Sequence, residues 1–322
     1  MRSTRREFLA VTTSCAAHLG LLAAGLSGEM WARPRGGGGS VAAQEPWGRL
    51  ESIGDGLWAL ISTPLEDRTT LCNGGIVAGS AGTVVVESFA TPQGARWMAE
   101  QARRLTGRWP THVVLSHFHG DHTGGIAGFA DTDGVELLAT GQTRDLVVDG
   151  DAARQDPVAP ARSRLLADVV VMPAHAPTTI HLGDRSVRIV PRDGHTPSDV
   201  SIEVPDARVV YCGDLVWNRM FPNYRDATPS RLSTAVRALQ AADATVYVPG
   251  HGPLADAMDL QRYIALLDHI EDAARRAHAQ GIPAAEAAAT YSIPEALGEW
   301  MMFSDRYFEV ALGAWERELR GS

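Results

Sequence analysis

From residue 50 onward, short runs rich in β-branched residues alternate with longer stretches in which apolar side chains recur every three or four positions. A period of two fits a strand with one buried face, and a period near 3.6 fits a helix lying on a core. The short runs predict strands at Gly56–Ile61, Gly75–Ala78, Thr83–Glu87, His112–Leu115 and Val135–Ala139. A second series follows at Thr178–His181, Val187–Val190, Val200–Val204, Arg208–Tyr211 and Thr245–Val248, with Gly, Pro and Asp clusters between them. Helices are predicted over Pro92–Leu105, Gly141–Val148, Ser230–Ala241 and Ala257–Gln280. In the last of these, Leu260, Tyr263, Ile264, Leu267, Ile270, Ala274 and Ala277 form one face, and Asp268, Glu271, Asp272 and Arg275 the other. Arg144 to Leu166 shows little periodicity and reads as a helix end plus loop. Glu295–Arg320 reads as an apolar helix pair carrying Trp300, Met301, Met302, Phe303, Tyr307, Phe308 and Trp315, packed on the core or across a homodimer. Strands then helix, repeated, predict two sheets packed face to face with helices outside.

The first 43 residues read differently. Arg5-Arg6 precedes an uncharged stretch from Phe8 to Leu26 that is rich in Ala, Thr and Gly. A stable transmembrane helix would need stronger hydrophobicity over about 20 residues. The pattern resembles a twin-arginine export signal, read by a receptor and then removed. Arg33 to Ser40, with four consecutive glycines, reads as linker, and Val41-Ala42-Ala43 offers small residues for cleavage. The expected organisation is a signal and linker over 1–43 and a mature domain over 44–322, with 282–322 as its C-terminal helical part. The expected location is the periplasm, with no stable membrane span after signal removal.

Composition narrows the chemistry. All 29 basic residues are arginine, so a Schiff-base lysine and a P-loop lysine are both excluded. The formal net charge is -9, which would repel a phosphate backbone, so nucleic acid is not an expected partner. Of three cysteines, Cys72 and Cys212 remain after export; they read as small apolar strand residues, although an oxidising compartment would permit a pair.

The densest chemistry lies in Ser116-His117-Phe118-His119-Gly120-Asp121-His122-Thr123-Gly124-Gly125. On an extended backbone, residues two apart point to the same side, so His117 and His119 can share one metal ion. Gly120 lets the chain turn and brings Asp121 and His122 to a neighbouring point. Three further candidates follow predicted strands in glycine-containing loops: His195 in Gly194-His195-Thr196-Pro197, Asp214 in Gly213-Asp214, and His251 in Pro249-Gly250-His251-Gly252. Loops at strand ends meet at one edge of a sandwich and commonly carry function. Imidazole and carboxylate without thiolate suit zinc, with iron and manganese as competitors. A hydroxide held by divalent ions forms at neutral pH and attacks a carbonyl or phosphorus centre.

These elements, in this order, resemble the metallo-β-lactamase superfamily of metal hydrolases over roughly residues 50–255, in its glyoxalase II-like, periplasmic branch. The resemblance implies an αββα sandwich with two metal ions, expected as zinc, at one edge. It implies that His117, His119 and His195 hold one ion, that Asp121, His122 and His251 hold the second, and that Asp214 bridges them, with Asp121 also catalytic. Many relatives carry Asp at the strand end where this chain has Glu87, which leaves Glu87 open between a buttress and a surface acid. One large group of zinc β-lactamases uses a cysteine ligand and a nearby lysine, and this chain has no lysine at all.

Trp217, Asn218, Arg219, Phe221 and Tyr224, close after Asp214, read as a wall of the substrate pocket. His112, His175, His181, His269 and His278 lack a partner motif and read as structural or solvated. The function expected is hydrolysis of a small-molecule ester, thioester, lactone or lactam. The alternatives are a β-lactamase proper and an oxidoreductase resembling the persulfide dioxygenases, with one iron.

Overall fold

The computed structural model describes residues 39–321, apart from 64–65, 133, 155–158, 241–243 and 245. Arg5-Arg6, the apolar stretch from Phe8 to Leu26 and most of the glycine-rich linker lie outside the described residues. The first sheet runs β1 (Val41–Glu45), β2 (Gly48–Gly54), β3 (Leu57–Ser62), β4 (Gly74–Ala78), β5 (Thr83–Val86), β6 (His112–Val114), β7 (Glu136–Thr140) and β8 (Val170–Met172), in chain order. β1 to β5 pair antiparallel, and β5 to β8 pair parallel. The second sheet contains β9 (Thr178–His181), β10 (Ser186–Pro191), β11 (Val200–Val204), β12 (Val209–Trp217) and β13 (Val246–His251), ordered β13-β12-β11-β10-β9.

Parallel neighbours need crossovers, and helices supply them. α1 (Pro92–Thr106) joins β5 to β6, and β6 leads into the short α2 (Gly120–Thr123). Thr91 caps α1 by accepting from the Gly94 amide at 3.2 Å. α1 turns Ala95, Met98, Ala99 and Ala102 onto the first sheet. α3 (Gly141–Arg154) and α4 (Ala159–Ala167) follow β7. α5 (Pro229–Gln240) joins β12 to β13, and α6 (Ala257–Ala279) starts at an Asp256 capping box. α6 buries Leu260, Tyr263, Ile264, Leu267, Ile270 and Ala274, the face that its periodicity predicts. Between the sheets lie Leu57, Val84, Val86, Val114, Val187, Ile189, Ile202, Val204 and Val248. With α1 outside one sheet and α5 and α6 outside the other, the architecture is the expected four-layer αββα sandwich.

The structure corrects two expectations about helices. The stretch from Arg144 to Leu166 is two helices, α3 and α4, not a helix end and a loop. Few of its positions reach the core, among them Val147 and Leu166, and a partly buried ion pair of Arg162 with Asp151 joins the two helices, so no apolar period is visible. The C-terminal region is not a helix pair over 295–320. It is α7 (Ala284–Thr290), a 3₁₀ turn at Glu295–Leu297, an irregular segment, and α8 (Tyr307–Gly321). Pro294 before the turn and Gly298 after it, at φ +78, break the helix there. α8 buries Ala311, Leu312, Ala314 and Trp315 against α6 and α7 of the same chain. β1 begins at Val41 and so takes in 41–43, which the sequence pattern had placed with the linker. Cys72 and Cys212 are buried and unpaired, and Cys72 lies in a loop, not a strand. Among the described residues, no helix is long and apolar enough to cross a membrane.

Candidate metal centre

The seven donor residues come from four places in the chain and meet at one edge of the sandwich. His117 and His119 leave the end of β6, and α2 turns Asp121 and His122 back beside them. His195 follows β10. Asp214 and His251 differ from the expected loop placement, because β12 runs on to Trp217 and His251 is the last residue of β13. At Gly213, φ +53, the pairing of β12 with β13 slips, and this kink turns Asp214 into the site. Gly250 is required beside it, since a Cβ there would stand 2.0 Å from Asp214 Oδ1.

Two sets of donor atoms result. In the first, His119 Nδ1 lies 3.1 Å from His117 Nε2 and 3.1 Å from His195 Nε2. Asp214 Oδ2 completes it, 3.3 Å from His195 Nε2 and 3.8 Å from His117 Nε2. In the second, Asp121 Oδ2 lies 3.2 Å from His251 Nε2 and 3.5 Å from His122 Nε2. The other Asp214 oxygen, Oδ1, faces this set at 3.1 Å from His122 Nε2 and 3.3 Å from His251 Nε2. One carboxylate therefore presents one oxygen to each set. Donors on a tetrahedral zinc ion, bound at about 2.0–2.1 Å, stand about 3.3 Å apart, so these spacings fit such an ion. His122 Nε2 and Asp214 Oδ1 are buried and make no hydrogen bond among the described residues, which is costly unless a cation takes both.

A second ring of groups fixes the imidazoles. Glu87, 1% exposed, faces His122 Nδ1 at 3.1 Å and accepts from the Ser116 amide at 3.2 Å. Its backbone stands at φ +76, a strained conformation that aims the carboxylate inward. The open question about Glu87 is thereby resolved: it is a buried buttress, not a surface acid. Ser116 Oγ lies 2.9 Å from His117 Nδ1. Asp226 Oδ2 lies 2.9 Å from His119 Nε2, which leaves Nδ1 of that ring for the site. Asn73 donates to the Pro249 and Gly252 carbonyls, at 2.9 and 2.7 Å, and so clamps the end of β13 that bears His251. Sequence reasoning missed Asp226 and Asn73, and neither stands in a motif that marks it.

Charge is divided unevenly between the sets. Burial lowers His195 to about 3 and holds His117 well below its usual value, so both are neutral donors. Burial also pushes His122 and His251 down, yet acidic neighbours outweigh it. His122 is raised well above its usual value by the carboxylates of Asp214, Glu87 and Asp121, and His251 to about 9 by Asp214 and Asp121. Burial pushes Asp121 and Asp214 up, but His122 and His251 hold both carboxyls below their usual range. Burial raises Cys72 to about 12, so its thiol stays neutral while donating to the Asp121 carbonyl at 3.0 Å. The second set, with its excess of acid, calls for positive charge.

Residues 68–251 match the family described as the metallo-beta-lactamase superfamily. The chain belongs to the metallo-beta-lactamase superfamily. Among curated proteins it is 25% identical to "2,4-dinitroanisole O-demethylase subunit alpha" of Nocardioides sp. (strain JS1661), over 66% of this chain and 58% of that one. It is 29% identical to a "Hydroxyacylglutathione hydrolase" of Acidiphilium cryptum (strain JF-5), over 62% and 73%. The chain thus spans between about three fifths and three quarters of these relatives. The metallo-beta-lactamase from Erythrobacter litoralis matches at TM-score 0.54 and 18% identity, covering 70% of this chain and 98% of that one. The sec-alkylsulfatase Pisa1 from Pseudomonas sp. matches at TM-score 0.62 and 17% identity, covering 84% and 50%. At these identities the solved structures show the fold alone. The expectations of a superfamily metallo-hydrolase and of its αββα fold are borne out at that level, and the His/Asp cluster marks a divalent-metal site.

The superfamily match ends at His251, and the surroundings of the centre depend on residues C-terminal to it. Of the five predicted wall residues, only Trp217 stands at the site, its ring centroid 4.1 Å from that of His251. Asn218 is buried and donates to the Pro253 and Leu254 carbonyls. Arg219 faces Asp259 at 3.7 Å. Phe221 and Tyr224, each 1% exposed, belong to the core under α5 and α6, where no substrate reaches them. Phe303 and Tyr307, which the apolar pattern places in the C-terminal helices, stand beside Trp217 with ring centroids 5.8 and 6.3 Å from it.

Proposed function

We propose that this chain is a dinuclear hydrolase, with zinc in both positions, acting on a small-molecule ester, thioester, lactone or lactam. The observation that carries the proposal is Asp214, whose two oxygens face two complete donor sets at 3.1–3.8 Å. His117, His119 and His195 would hold one ion, Asp121, His122 and His251 the other, and Asp214 both. The ions, when bound, acidify a water and stabilise negative charge developing on the substrate. The chain's own residues orient and shield. Glu87 and Ser116 hold His122 and His117 in place, and Asp226 holds His119. Asp121, with 25% side-chain exposure, is the carboxylate of the cluster that reaches solvent, so it can take a proton from the attacking water and pass it outward. His117, His122, His195 and Asp214 are almost wholly buried, which keeps the electrostatics strong.

A single-iron oxidoreductase would use the first set and leave Asp121, His122 and His251 without a role. Lactams remain in the substrate class because a "Metallo-beta-lactamase type 2" of Bacillus sp. (strain 170) is 24% identical over 57% of this chain. The test is metal analysis of the purified protein beside turnover of ester, thioester, lactone and β-lactam substrates. About two zinc ions per chain with chelator-sensitive hydrolysis is expected. One iron per chain with oxygen uptake, and no hydrolysis, would overturn the proposal. Export to the periplasm belongs to the same reading and rests on Arg5-Arg6 ahead of the uncharged stretch. Undiminished periplasmic protein after both arginines are changed to lysine would refute it.

A further inference from the structure

We infer that the dipeptide Cys72-Asn73 positions the second donor set, so that an ion on Asp121, His122 and His251 depends on it and an ion on His117, His119 and His195 does not. This inference rests on the reading of two ions, whatever the substrate. Neither residue belongs to the donor sets, so both act through the backbone that carries the ligands.

The ligands differ in what fixes them. The outer ring nitrogens of His117, His119 and His122 face Ser116, Asp226 and Glu87. Nδ1 of His251 is buried and has no hydrogen-bond partner among the described residues. A metal-bound imidazole is ordinarily oriented through that nitrogen. His251 is therefore placed by its backbone, which Asn73 grips on both sides. The Asn73 amide donates to the Gly250 carbonyl at 2.7 Å, and its side-chain nitrogen to the Pro249 and Gly252 carbonyls at 2.9 and 2.7 Å. Gly250 in turn lies against Asp214 Oδ1, the oxygen that faces the second set. One residue earlier, the Cys72 thiol donates to the Asp121 carbonyl at 3.0 Å. Two adjacent residues thus hold the chain at Asp121 and around His251. Among the described residues, none of their hydrogen bonds reaches His117, His119 or His195. His195 Nδ1 is also unpartnered, but its turn is closed within its own loop, where Asp199 accepts from the Thr196 amide at 2.8 Å.

The dipeptide is itself held firmly. Ser62, the last residue of β3, donates its amide to Asn73 Oδ1 at 2.8 Å and its hydroxyl to the Cys72 carbonyl at 2.5 Å. The oxygen and the nitrogen of the buried Asn73 side chain are both engaged, which fixes its orientation. Just before it, Leu71 stands at φ +61, and the Cys72 amide closes onto the Thr70 carbonyl at 2.8 Å. A leucine in that region is strained, and such strain persists only where the surroundings enforce it. Asn73 thereby ties β3 of the first sheet to β13 of the second, at the point where the second set must be assembled across them.

The experiment titrates the metal-free full chain with cobalt(II), which takes nitrogen and oxygen donors as zinc does and reports them in its visible absorption. Two backgrounds separate the sets: His119→Ala leaves the second to be filled, and His122→Ala leaves the first. In the His119→Ala background, Asn73→Ala is expected to weaken cobalt binding about tenfold or more, and Cys72→Ala less. Cys72→Ser should recover most of the Cys72→Ala loss, because its hydroxyl can still donate to the Asp121 carbonyl. In the His122→Ala background, the same substitutions should change the affinity by less than about twofold. Equal weakening in both backgrounds would overturn the inference, since the dipeptide would then serve the fold as a whole. Unchanged affinity in the His119→Ala background would overturn it as well. If Asn73→Ala does not fold, Cys72→Ala and Cys72→Ser decide by the same criteria. Cobalt bound only in the His122→Ala background would remove the two-ion reading and the inference together. The expected pattern, with no turnover of any ester, thioester, lactone or lactam by the zinc-loaded wild type, would remove the hydrolase reading and leave the inference standing.

Discussion

The donor cluster and the C-terminal region touch at Trp217 and Phe303, yet they are held together by opposite means. The cluster gathers seven polar side chains from four places in the chain, most of them buried, with His122 Nε2 and Asp214 Oδ1 left without hydrogen bonds among the described residues. Such an arrangement costs free energy until cations enter it. The C-terminal region instead buries Trp315, Leu312, Ala311 and Ala314 on α8 against α6, and surrounds Phe221 with Tyr291 and Phe308. That packing is favourable by itself. The molecule thus separates chemistry from stability: the strained, charged edge is tolerated because the apolar layers around it are well packed.

The largest effect that tests this separation comes from Asp214→Ala. It should lower hydrolysis by about 10³-fold or more and loosen both ions, because each loses an oxygen, while far-UV dichroism stays native. Asp214→Asn keeps the shape but loses the charge and should behave similarly in activity. Two tightly held ions per chain in Asp214→Ala would show that the carboxylate does not bridge. The reverse pattern is expected for Trp315→Ala. It should destabilise the fold by about 3–5 kcal/mol by leaving a cavity under α6, yet keep its metal stoichiometry below the melting transition. Loss of metal in the folded variant would mean that the two regions are not separable.

The smallest effect concerns Asp199, which lies buried in the segment after His195. It is buried, and burial raises its carboxyl to about 7, although Thr196 donates to it through its hydroxyl at 2.5 Å and its amide at 2.8 Å. A carboxyl raised on folding is more easily tolerated when protonated. Its favourable contribution is therefore complete below about pH 4 and is lost as pH rises through about 7. Asp199→Asn removes this dependence. The wild-type melting temperature should fall relative to the variant between pH 5 and pH 8, by about 2–4 °C for each 1 kcal/mol of cost. Equal pH dependence in the two proteins would count against a raised carboxyl.

How much of the site was legible in the sequence depends on distance along the chain. The ligands His117, His119, Asp121 and His122 could be read because spacing and a glycine decide which way neighbouring side chains point. α6 could be read because its buried face repeats from Leu260 to Ala274, through about four turns. The partners that complete the site could not. His119 and Asp226 are 107 residues apart, and Asn73 is 176 residues from the carbonyl of Pro249 that it holds. Nothing local marks Asp226 or Asn73, since a carboxylate and an amide look alike whether solvated or clamping a loop. The wall was misread for the same reason. Closeness to Asp214 in sequence made Phe221 and Tyr224 look like pocket residues, but the chain turns both into the core. The sequence by itself determined which atoms could bind metal and, for the run from His117 to His122, at which strand end they sit, because those depend on neighbouring residues. Only the tertiary structure decided that Asp214 stands between two sets, that Glu87 lies under His122, and that Phe303 faces His251. Each of those contacts joins segments brought together by the packing of two sheets and the return of the C-terminal chain.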